Sequence, residues 1–146
     1  MPGLASLREA QYYAHPRNRF WPLMGALCGI TVDAPYQQRL QALNAAGVGV
    51  WDVIGTCRRR GSLDADIVRG SEVANPIGPL IGSLTELRLV ACNGAAAHRA
   101  FQRFIAPGLS HPPAVLALPS TSPANASASL RALIQAWQPV ASALAP

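Results

Sequence analysis

Four short stretches concentrate side chains able to bind and cut a polar substrate. The run Tyr12-Tyr13-Ala14-His15-Pro16-Arg17-Asn18-Arg19-Phe20-Trp21 joins two phenol rings, an imidazole and a carboxamide within seven positions. A tyrosine ring offers a flat face for stacking, although tyrosine pairs more commonly pack in a core with a solvated hydroxyl. Asn18 is too weak a base to take a proton, yet its amide can orient a water molecule. It is also a preferred helix N-cap, and the two roles are compatible. His15 stands before a proline, where a structural imidazole is as ordinary as a donating one. Asp52 closes an apolar run and can position water, but an aspartate there more commonly caps a loop or pairs with an arginine. Arg58, Arg59 and Arg60 form the basic run of the chain, suited to phosphate and equally to a solvated loop. Asn93 precedes Gly94, where its amide reads a ligand edge or simply turns the chain. Ser120, Thr121 and Ser122 lie in Pro119-Ser-Thr-Ser-Pro-Ala-Asn125, whose hydroxyls and amides suit an anion.

The elements that must position these groups follow from apolar spacing. Residues 1–18 read as irregular. Phe20–Leu27 has helical spacing stopped by Gly29, and Tyr36–Ala46 is a second helix stopped by Gly47. The continuous apolar run Gly49–Ile54 predicts a buried strand. Asn75–Leu84 predicts a short helix, Leu87–Cys92 a second strand, Ala95–Phe104 a helix with Ala97, Phe101 and Phe104 inward, and Ala114–Leu118 a third strand. Ser127–Leu144 contains the last helix. Short apolar strands alternating with helices predict an α/β fold, a single-domain three-layer α/β/α sandwich over a short parallel sheet. Ligands bind such folds at the carboxyl ends of the strands. Those loops are Gly55–Ser62, Asn93–Gly94 and Pro119–Asn125, the same stretches singled out for chemistry.

Composition narrows the chemistry. The 146 residues are 50% hydrophobic and 13% charged, with formal net charge +5. All 12 basic residues are arginine. Without lysine, no Schiff base, P-loop lysine or pyridoxal-phosphate linkage can form. The positive balance favours a polyanion, although arginine- and alanine-rich composition also arises from genome bias. Cys28, Cys57 and Cys92 show no metal-ligand spacing among themselves or with His15, His98 and His111. Reduced thiols, a cytoplasmic location, no metal and no cofactor are expected. No apolar stretch approaches a membrane span.

The Met1-Pro2-Gly3 start with Ser6-Leu7, the Tyr-Tyr-Ala-His-Pro-Arg-Asn-Arg-Phe-Trp run, Trp51-Asp52-Val53 with Cys57-Arg-Arg-Arg-Gly-Ser-Leu-Asp64, the Asn93-Gly94 turn and the 119–125 loop resemble, in order, the hypoxanthine-DNA glycosylase family of the uracil-DNA glycosylase superfamily. The first run is also similar to the mismatch-specific uracil glycosylases. The resemblance implies an enzyme that flips a deaminated base out of double-stranded DNA and hydrolyses its N-glycosidic bond. Hypoxanthine is the leading substrate, with uracil or xanthine as lesser ones. It implies Asn18 as the residue placing water, Tyr13 and then Tyr12 as stacking partners, and His15 and Asn93 as further base contacts. Ser120, Thr121, Ser122 and Arg58–Arg60 become DNA contacts. Lacking lysine, the enzyme should be monofunctional, and a monomer is expected.

The family places an apolar strand before its Met-Pro-Gly, where this sequence begins. The sheet is therefore expected to lack its first, central strand, and residues 1–146 to be poorly stable and weakly active through a late start assignment. A mismatch uracil glycosylase and a truncated, inert DNA-binding relative are the rival expectations.

Overall fold

The computed structural model describes residues 3–61 and 64–145, with only the backbone of Asp64. Met1 and Pro2, expected to line the pocket, and Ser62-Leu63 of the arginine-loop motif lie outside the described residues. In chain order the elements are α1 (Leu4–Glu9), α2 (Phe20–Cys28), α3 (Tyr36–Ala45), β1 (Ile54–Thr56), β2 (Val73–Ala74), α4 (Ile77–Ser83), β3 (Leu89–Asn93), α5 (Ala95–Phe104), β4 (Ala114–Leu118), α6 (Leu130–Ala136) and α7 (Gln138–Leu144).

β3 and β4 pair in parallel, Leu89 opposite Ala114 through Asn93 opposite Leu118. The pleat sends their side chains alternately into two cores. Leu89, Ala91, Leu116 and Leu118 face one built from Phe20, Trp21, Leu23 and Met24 of α2, Leu43 of α3, Leu133 of α6 and Val140 of α7. Val90, Cys92 and Val115 face the other, with Ile77 and Ile81 of α4 and Phe101 of α5. Helices thus cover both faces of a short parallel sheet, giving the expected three layers. Phe101, at 1% exposure, contributes about 1.5–3 kcal/mol by its burial alone.

The structure departs from the sequence reading in three places. Residues 1–18 hold a helix, α1, whose buried Ser6 accepts the Ala14 N–H at 3.2 Å. The last helix is broken into α6 and α7 at Trp137, because Pro139 has no N–H and its ring would clash with the carbonyl four residues back. The third departure concerns 49–54. Only Ile54–Thr56 is a strand, and it pairs antiparallel with Val73–Ala74 outside the parallel sheet. A strand needs a ladder of hydrogen bonds to a neighbour on its edge, and here, among the described residues, Asn75 alone supplies them, its N–H to the Val53 carbonyl and its side-chain amide to that of Asp52. The valines of this segment are half-buried nonetheless: Val50, with the preceding Val48, packs against the first core and Val53 against the second, while Trp51 is 52% exposed.

Candidate active site

The parallel register brings the carboxyl ends of β3 and β4 together, so Asn93-Gly94 and the 119–128 loop leave the sheet side by side. Gly94 takes φ +100°, and a Cβ on it would lie 3.1 Å from the Ser120 Cβ, so the close approach of these turns requires glycine. Asn93 locks them together. Its Nδ2 donates to the Thr121 hydroxyl at 2.8 Å, and its Oδ1 accepts the Thr121 N–H at 2.9 Å. Thr121 is fully buried.

The Tyr12–Asn18 turn packs over this junction. Tyr13 adopts a left-handed backbone (φ +55°), a strained choice for a side chain of its size. One face of its ring is covered by Phe20, centroid to centroid 3.9 Å and 22° from parallel. Burial pushes its phenol up to about 12, although a hydrogen bond with the Asn93 side chain pulls the other way. Tyr12 lies 6.3 Å from Tyr13 and is anchored by its backbone, its N–H donating to the Tyr36 hydroxyl and its carbonyl accepting Trp21 Nε1. Burial raises its pKa as well. His15 Nδ1 accepts the Arg17 N–H at 3.1 Å, which leaves Nε2 to carry the proton of the neutral ring. Asn18 Oδ1 accepts the Phe20 N–H at 3.0 Å, capping the start of α2. That bond fixes the amide and occupies one lone pair, leaving the second and the NH₂ for a water molecule.

No family model matches the chain. Two curated relatives do, both named hypoxanthine DNA glycosylase. That of Methanosarcina barkeri is 39% identical over 95 residues, 64% of this chain and 59% of its own length. That of Methanosarcina acetivorans is 37% identical over 98 residues, 66% of this chain and 61% of its own. The chain therefore spans about three fifths of the length of these relatives. A solution structure of a proposed uracil DNA glycosylase from Methanosarcina acetivorans superposes with TM-score 0.78 at 31% identity, over 98% of this chain and 85% of that one. The chain belongs to the hypoxanthine-DNA glycosylase family of the uracil-DNA glycosylase superfamily.

Within this glycosylase fold the candidate residues fall into separate groups. Asn93 and Ser120–Ser122 sit together at the carboxyl ends of β3 and β4, Tyr13 lies beside Asn93, and Arg19, next to Asn18, donates its N–H to the Thr121 carbonyl. Tyr12 and His15 belong to the same turn as Tyr13 and Asn18. Two of them act differently from expectation. The Thr121 hydroxyl, expected on DNA, is sealed inside as the acceptor for Asn93. The Asn93 amide, expected to read a base edge, is bonded to Thr121 through both its oxygen and its nitrogen and braces the two turns. Arg59 bridges to Ile67 in a short antiparallel contact and sits within electrostatic reach of Asp52, whereas the Arg58 and Arg60 side chains are exposed on the loop. Asp52 lies on the tyrosine side of the site. Burial raises its carboxyl pKa, and its charge in turn raises those of Tyr12 and Tyr13.

Sequence reasoning missed two residues of this candidate site. Asn75 donates to the Asp52 carbonyl at 2.7 Å and holds that segment in place. Arg19 reaches under the 119–128 loop to the carbonyls of Ser122, Asn125 and Ala128. Neither has a local signal, since the partners are 23 and 103–109 residues away. Among the described residues no group of three or more His, Cys, Asp or Glu side chains gathers as a metal site. Nor is any helix among them long and apolar enough to cross a membrane.

Proposed function

We propose that this protein hydrolyses the N-glycosidic bond of a deaminated nucleotide in double-stranded DNA, with hypoxanthine as the base released. The observation that carries the reading is the meeting of the Tyr13–Arg19 segment with the two strand-end loops, Tyr13 beside Asn93 and the Arg19 N–H on the Thr121 carbonyl. Tyr13, backed by Phe20, offers its remaining face to a base turned out of the duplex; such stacking is worth about 1–3 kcal/mol. Asn18, immobilised by its cap bond, orients water toward the anomeric carbon. A neutral amide is adequate if the base departs first and leaves an oxocarbenium-like sugar, because the water then needs placement more than deprotonation. Tyr12 and the His15 Nε2–H flank the base, and Ser120 and Ser122 meet the backbone phosphates. Arg58–Arg60 attract the duplex from farther out. With no lysine in the chain, the product is free base and an intact abasic site. The two curated relatives' names favour hypoxanthine over uracil. The reading further implies a cytoplasmic monomer.

The test is incubation with duplexes carrying deoxyinosine or deoxyuridine, followed by alkali. Strand scission at inosine that exceeds scission at uracil supports the proposal. Scission at uracil alone favours the mismatch-uracil reading, and binding without scission an inert relative.

A further inference from the structure

The loop between β4 and α6 has its carbonyls turned inward to a consistent degree. Pro119 O accepts Trp137 Nε1 at 3.0 Å, and Ser120 O accepts Asn125 Nδ2 at 2.9 Å. Thr121 O accepts the Arg19 N–H at 3.1 Å. The guanidinium of Arg19 collects three more: Ser122 O at 2.7 Å, Asn125 O at 2.8 Å, and Ala128 O. Its Nε is buried without an acceptor, and every partner recorded for it is a neutral carbonyl. A positive charge thus lies beneath the loop, and among the described residues no carboxylate pairs with it. On the loop itself the Ser120 and Ser122 hydroxyls each accept one backbone N–H, from Ser122 and Ala124 at 3.2 Å. Among the described residues neither hydroxyl proton has an acceptor. With carbonyl oxygens withdrawn, donors presented and a cation behind them, the surface is complementary to an anion.

We propose that Arg19 is a positioning residue for a DNA backbone phosphate. It gathers the loop carbonyls inward, so that Ser120 and Ser122 donate to a phosphodiester oxygen, and it supplies the charge that selects an anion there. Because Asn18 is its chain neighbour and Thr121 O binds its N–H, the same residue keys the phosphate grip to the water-placing amide. The inference deepens the glycosylase reading and rests on it for the identity of the ligand, while its primary readout is DNA affinity.

The test compares wild type with Arg19→Met, Arg19→Lys and Ser120→Ala/Ser122→Ala. Each is measured for dissociation constant on an abasic-site duplex and for single-turnover rate on an inosine duplex at saturating protein. Arg19→Met should weaken binding at least about tenfold, as expected for losing charge-assisted contacts. Arg19→Lys should recover part of that affinity by keeping the charge. The serine pair should reproduce the affinity loss with its melting temperature preserved, and it decides the matter if Arg19→Met does not fold. Wild-type affinity in a folded Arg19→Met or in the serine pair overturns the proposal. So does a loss confined to the saturating rate. If wild type binds DNA but releases no base, the affinity arm still judges the role of Arg19, and only the glycosylase reading fails.

Discussion

Thr121→Val removes one oxygen from the centre of the site while keeping the shape and β-branching of the side chain. Thr121 is fully buried, and its hydroxyl accepts Asn93 Nδ2–H at 2.8 Å. Valine fills nearly the same volume, so the cavity contribution is small and the cost is a buried amide N–H without a partner. That costs about 1–3 kcal/mol, and at about 2–4 °C per kcal/mol for a chain near this size the melting temperature should fall by roughly 3–10 °C. The Asn93 Oδ1 bond to the Thr121 N–H, 2.9 Å, survives, so the variant should still fold. Circular dichroism melts of wild type, Thr121→Val, Asn93→Ala and the double variant form a cycle. A coupling of about 0.5–3 kcal/mol is expected for two residues in one hydrogen-bond network. If Thr121→Val melts within a degree of wild type and the coupling is zero, the brace between the two strand ends does not exist.

Gly94→Ala puts a Cβ at φ +100°, 3.1 Å from Ser120 Cβ. It should cost more than about 1 kcal/mol and reduce base release, read by melting and by turnover on an inosine duplex. Asn18→Ala should lower the single-turnover rate by about 10²-fold or more, as for loss of a group that positions a reactant, with abasic-site DNA binding nearly unchanged. Unaltered turnover would leave Asn18 as a helix cap only. Tyr13 gives a pH dependence. Its folded pKa of about 12 lies above the ordinary tyrosine value of 10.0, so the unfolded chain releases this proton first. The stabilisation is therefore complete below pH 10 and is lost as pH rises toward 12. Wild type should lose melting temperature across that window more steeply than Tyr13→Phe; parallel curves would contradict the burial of the phenol.

Much of this architecture is legible in the sequence because it is local. Ala95–Phe104 and Ala114–Leu118 form as read, since their apolar spacing and the preceding Gly94 are sufficient signals. The break in the last helix has a local marker, Pro139, which the reading of 127–144 as one helix passes over. The segment 49–53 shows the limit. Its apolar run is the same whether or not a strand lies beside it, so the sequence records burial but not pairing. In the site, residue types announce which groups can act on a base. They do not announce which of those groups the fold uses internally. Asn93 and Thr121 have the chemistry of ligand contacts, and the register of β3 with β4 turns them toward each other instead. Arg19 reads as one arginine in an arginine-rich chain until the loop more than 100 residues later closes over it.

The account rests most directly on the release of free base. Purified protein mixed in excess with a deoxyinosine duplex should liberate hypoxanthine, detected by chromatography, with the strand intact until alkali is added. Asn18→Ala should liberate far less. A folded protein that binds this duplex yet liberates no base from inosine, uracil or xanthine substrates contradicts it.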